Sequence, residues 1–154
     1  MKLTGFKKDE VVAISVILIV ISIFTLFNLR AALRRQRDAQ RKADVRTLTN
    51  ILEEYHEEFK LYPERIENLN FSSLPHEPNE REGAKYLYLT NRRRFQVYAS
   101  LEGADEAEYD ARIVARDLNC GTRICNFGLA SGQTPLEKSI EEYENEINER
   151  FHPN

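Results

Sequence analysis

Few residues in this sequence have the type and spacing that chemistry needs, and those few point to cross-linking and anchoring rather than to turnover. Cys120 and Cys125 bracket Gly-Thr-Arg-Ile. A zinc site would want four ligands, and the three histidines, His56, His76 and His152, are not spaced to complete one. The pair is read as a disulfide, with two unpaired thiols as the alternative. Closing so small a loop contributes about 2 kcal/mol in the chain-entropy account, and the bond persists only in an oxidising compartment. The stretch EGADEAEYD offers carboxylates but no recognisable cation-ligand spacing, and is read as a solvated loop. Arg92, Arg93 and Arg94 follow one another in a turn. They are read as solvated, or else as a contact for an anionic surface, DNA included, which three charges would make weak and salt-sensitive. There is no nucleophile with a base, no phosphate loop and no pair of carboxylates in a catalytic context, so neither enzyme activity nor a metal or cofactor is expected.

Glu10 is the acid that most needs an explanation. It stands at the edge of an apolar run, Val11 to Phe27, whose 17 residues include nothing more polar than Ser15, Ser22 and Thr25. A carboxylate at mid-membrane costs about 3 kcal/mol on insertion scales, so it either finds a partner or sits near the interface as an acid favoured by the helix dipole. As a helix the run spans about 25 Å, enough to cross a bilayer. A removable secretory signal ends in a small-x-small site, and Phe27-Asn28-Leu29-Arg30 has none, so the segment is read as retained. The next stretch, from Arg30 to Lys60, contains neither Gly nor Pro and is rich in helix formers. The helix is therefore expected to continue from Glu10 to Glu58, roughly 70 Å, until Pro63 stops it. Val45, Leu48, Leu52, Tyr55 and Phe59 recur at steps of three and four and form one core-facing stripe.

The cover for that stripe is legible further on. KYLYLT, NRRR and FQVYASL read as a β-hairpin about a four-residue turn, with Phe95, Val97, Ala99 and Leu101 on one apolar face. ICNFGLAS can add a strand; ARIVA is either a strand or part of a loop with a helical turn. The tail LEKSIEEYENEINERF places Leu136, Ile140, Tyr143, Ile147 and Phe151 on one helical stripe among six glutamates. It is read as packing back on the domain, or alternatively as docking a partner.

Gly5-Phe6 with Glu10 as the fifth residue after that junction, the apolar run, Asn28, the segment RDAQRKADVRTLTNILEEYHEEFK and the Tyr62-Pro63 loop occur in that order. Together they resemble the type IV pilins and the pseudopilins of type II secretion, over the chain up to about Pro135. The resemblance implies a prepilin peptidase that cuts between Gly5 and Phe6 and methylates the new terminus. It also implies an apolar helix that leaves the membrane to form a filament core, and a Glu10 that pairs with the terminal amine of a neighbouring subunit. Lys7, Lys8 and Asp9 stand where family leaders are apolar, and Phe27 where many pilins carry a proline.

The expectation is an α+β fold: a long N-terminal helix, transmembrane in its first half, packed on a small antiparallel sheet, with a C-terminal amphipathic helix. The expected divisions are a leader at 1–5, an assembly helix at 6–29, its amphipathic continuation at 30–60, a globular head at 61–135 and a helical extension at 136–154. The implied function is that of a structural subunit, major or minor, of a type IV pilus or secretion pseudopilus. Its partners would be other subunits, the prepilin peptidase, the membrane and the assembly platform. The alternative is an uncleaved single-pass adaptor or anchor. A net charge of −3 argues against a dedicated nucleic-acid binder. Arg30, Arg34, Arg35, Arg37, Arg41 and Lys42 follow the apolar run, and the positive-inside rule would place that flank in the cytoplasm. The cysteines and the resemblance place it outside, which gives a bacterial inner-membrane protein with an extracytoplasmic head that passes to the pilus or cell surface.

Overall fold

A computed structural model of the chain describes residues 8–69 and 74–151. The first element, α1, is a helix over Lys8–Phe59. It is continuous because the sequence gives it no breaker between the acids of its first turn, Asp9 and Glu10, and the Tyr62-Pro63 pair. It ends in a left-handed cap: Lys60 has φ 60° and its N–H donates to the His56 carbonyl at 2.8 Å. His56 then stacks on Tyr62, ring centroids 4.5 Å apart.

After two short 3-10 turns, Ile66–Asn68 and Glu80–Glu82, come strands β1 (Leu87–Thr90) and β2 (Phe95–Ala99). A short helix α2 (Ala111–Val114), the two-residue strands β3 (Asn119–Cys120) and β4 (Arg123–Ile124), strand β5 (Phe127–Ala130) and helix α3 (Ile140–Phe151) complete the chain. The principal sheet is antiparallel in the order β1-β2-β5, with Tyr88 opposite Val97 and Val97 opposite Leu129. ARIVA takes the helical alternative, because Asp110 caps it by accepting from the Arg112 N–H at 2.9 Å. The fold is thus α+β, with the long helix packed on a small antiparallel sheet and a C-terminal helix following.

The chain divides into compact units at 1–36 and 37–154. In the second unit, Val45, Leu48 and Leu52 on α1 pack on Phe95, Val97, Ala99, Leu101 and Phe127. Tyr55 is half-buried, whereas Phe59, expected on the same stripe, is 54% exposed, since the helix has there run past the sheet and met its cap. All of β2 is buried, its second face included. Tyr98 packs with Ile113 and both cysteines in a smaller core. The Gln96 amide donates to the Lys138 carbonyl at 2.8 Å, which holds the segment leading into α3. Helix α3 starts four residues later than expected. Leu136 precedes it and packs on the smaller core, Ile140 is buried, Tyr143 and Ile147 are half-buried and Phe151 is 71% exposed.

Candidate functional site

Two features stand out, one in each unit. In the first, every residue of α1 from Lys8 to Arg30 is exposed, with Phe24 and Phe27 at 67% and 68%. This stretch is long and apolar enough to cross a membrane. Its hydroxyls suit that setting: Ser15, Ser22 and Thr25 each donate to the carbonyl four residues back, at 2.7–2.8 Å, so none needs water. Glu10 sits in the first turn and is exposed. Gly5 and Phe6, the expected processing junction, and Lys7 beside them lie outside the described residues, as does His152.

The second feature is a charged seam at the start of the second unit. The stripe that carries Val45, Leu48 and Leu52 continues backwards in the same steps of four and three to Arg41 and Asp38, both fully buried. The Arg41 guanidinium donates through Nε to Glu77, and through Nη1 to Asp38 at 2.8 Å and Glu102 at 2.9 Å. Burial opposes the Arg41 charge, yet the bonds to Glu77, Glu102 and Asp38 outweigh it and leave its pKa raised. Asp38 also receives the backbone N–H groups of Glu102 and Gly103 at 2.8 and 2.9 Å, so one carboxylate fixes both the arginine and the incoming loop. Glu102 takes both arms of Arg37, at 2.8 and 2.7 Å, and has Arg123 at 3.5 Å. The Arg37 hydrogen bond, with Arg41 beside it, depresses the Glu102 carboxyl to about 2. Lys42 closes the seam on Glu106 and Glu108, at 2.8 and 3.0 Å.

The acidic loop is therefore not the solvated one expected from its sequence. Glu102, Glu106 and Glu108 are committed to cations of α1, which also consumes Arg37, Arg41 and Lys42 of the basic flank. The carboxylates of the seam are engaged by Arg37, Arg41, Lys42 and Arg123, so the arrangement acts as a clamp between α1 and the loops that carry Glu77 and Glu102.

Cys120 and Cys125 form the disulfide, with Cα atoms 5.2 Å apart, and both are fully buried. The bond shuts the β3-β4 hairpin, whose tip, Gly121 at φ 75°, bridges to Ala84. A Cβ at Gly121 would lie 2.0 Å from the Gly83 carbonyl oxygen, so glycine alone allows this approach. The hairpin thereby delivers Arg123 to Glu82 and Glu102.

Arg92, Arg93 and Arg94 do occupy the hairpin turn, with Asn91 Oδ1 accepting from the N–H groups of Arg93 and Arg94 at 3.1 and 2.9 Å. Their side chains diverge. Arg92 meets Glu64 at 3.3 Å, while Arg94 lies over the Tyr143 ring at 5.0 Å and 3.7 Å from Glu144. No family model, curated protein or solved structure matches this chain.

Proposed function

We propose that the chain is a single-pass membrane protein of pilin type, a structural subunit of a type IV pilus or a related secretion pseudopilus. One observation carries the reading. A single unbroken helix offers a bare apolar stretch of membrane length, while its continuation is built into the core of a disulfide-bonded α+β head. This is the division of labour that an anchoring and assembling helix requires, with the apolar stretch held by lipid before assembly and by neighbouring helices afterwards. Exposure of that stretch to water would be prohibitive at about 25 cal/mol per Å². The buried disulfide supports an extracytoplasmic head, because such a bond persists in an oxidising compartment. The expected orientation also meets less opposition than the sequence suggests, since head carboxylates neutralise Arg37, Arg41 and Lys42.

In this reading Glu10 sets the register between subunits, by pairing with the amine that cleavage before Phe6 would free. The test compares wild type with Glu10→Ala in membranes and in sheared surface fractions of the same cells. The variant should insert and fold normally but be depleted from filaments, and mass spectrometry of assembled protein should show the loss of MKLTG. Equal incorporation of the two proteins would remove Glu10 from assembly. An intact Met1 in assembled material would identify an uncut anchor instead.

A further inference from the structure

We infer that the C-terminal end of the apolar stretch is a binding surface for anionic phospholipid, with Arg30 as the contact for the lipid phosphate. The inference rests on the membrane reading above. Ile23, Leu26, Phe27 and Arg30 line one shallow groove on the helix surface. Their spacing of three, four and seven places them on a single face, with the apolar side chains in a row and the guanidinium at one end. An apolar floor that ends in a cation matches an amphiphile whose chain lies along the floor and whose anionic group meets the charge. Arg30 lies three residues beyond Phe27, about 4.5 Å along the axis, so a membrane-spanning Val11 to Phe27 places it where hydrocarbon gives way to headgroups. Guanidinium is the side chain best shaped to grip phosphate, through two parallel N–H bonds.

The rest of the basic flank narrows the site. Arg37, Arg41 and Lys42 are held by Glu102, Glu77, Asp38, Glu106 and Glu108, so they are not offered to lipid. Arg30 and Arg35, by contrast, are exposed. Lipid selectivity is therefore confined to about the first two turns after the apolar run.

The full chain, reconstituted in vesicles of equal phosphatidylcholine and phosphatidylglycerol, is first floated to score insertion. It is then released into native mass spectrometry to score the lipids it retains. Wild type should retain phosphatidylglycerol over phosphatidylcholine. Arg30→Gln should float equally well and lose that preference by roughly fivefold, the effect of one interfacial cation. Arg93→Gln, in the hairpin turn, should change neither readout. An unchanged lipid ratio in Arg30→Gln, or no preference in wild type, overturns the inference while leaving the membrane reading intact. Dimers that carry no bound lipid would overturn it in favour of a second copy in the groove. Failure to float would overturn the membrane reading itself, and the inference with it.

Discussion

Arg41 shows how a residue that looks like a surface cation becomes a structural one. Its guanidinium is the only positive group among the fully buried side chains of the described residues, and three carboxylates converge on it. Removing it takes away the cation that the buried Asp38 and Glu77 share, and leaves Glu102 with Arg37 and Arg123 alone. Breaking a buried pair from one side costs about 3–5 kcal/mol, so Arg41→Ala should destabilise the head by that order in urea denaturation. Arg41→Met, which keeps much of the volume, should recover little of the loss, because the cost is electrostatic. The pH response follows from Glu102. Its carboxyl falls from an ordinary 4.5 to about 2 in the folded protein, held chiefly by Arg37. A depressed folded value means that the stabilisation is complete above about pH 4.5 and drains away as pH falls toward 2. The melting temperature should drop across that window, and Glu102→Gln should start lower and show a shallower acid limb. Thermal melts at a series of pH values would check this, and an unchanged acid limb in the variant would contradict it.

At the scale of elements, the disulfide hairpin is a strut rather than an ornament. The Thr122 N–H donates to the Gly83 carbonyl at 3.0 Å, and the Lys85 N–H to the Cys120 carbonyl at 3.1 Å, so the closed loop splints the chain just before β1. Opening it releases both the splint and the approach of Arg123 to the seam. Cys120→Ser with Cys125→Ser should cost about 2 kcal/mol, the loop-closure contribution, and reductant should lower the melting point of wild type by a matching amount while leaving the double variant unmoved. Helix α3 is tied down at its start by Gln96, by Ile140 and by the Tyr98 hydroxyl, which donates to the Leu136 carbonyl at 3.0 Å. Further along, it rests on the Arg94–Tyr143 stacking contact. Hydrogen exchange should therefore protect the first turn of α3 more than its last, where Phe151 is exposed.

On the scale of the whole molecule, the fully buried side chains of the described residues all lie at or beyond Asp38. The core is thus complete within 37–154, and the apolar stretch adds nothing to it. A fragment that begins at Arg30 should be soluble without detergent and melt cooperatively, with the disulfide formed. Circular dichroism and size-exclusion chromatography would test this, and an aggregated or non-cooperative fragment would show that the apolar stretch is needed for head stability. The proposed exchange of lipid for neighbouring helices would involve the first unit alone, so it should carry no cost to the head's core.

The sequence by itself determined the elements whose signals are local. The breaker-free helix, its apolar run and the hairpin about NRRR follow from periodicity and turn chemistry over short distances, and the spacing of Cys120 and Cys125 favoured their pairing over two unpaired thiols, a choice the structure made. What the charged residues do was decided only by tertiary structure. Asp38 and Arg41 fall on the same three-and-four stripe as Val45 and Leu48, a signal available in the sequence, yet their partners Glu77 and Glu102 lie 36 and 61 residues beyond Arg41. No local pattern distinguishes a carboxylate in a solvated loop from one that will meet a buried guanidinium. Gln96 and Tyr98 likewise occupy the alternate positions of a strand whose other face was already apolar. Only the packing of α2, the disulfide hairpin and the α3 approach over that face made both faces of β2 interior. Local periodicity sets which backbone forms, but burial and charge pairing are properties of surfaces that meet only when the chain is folded.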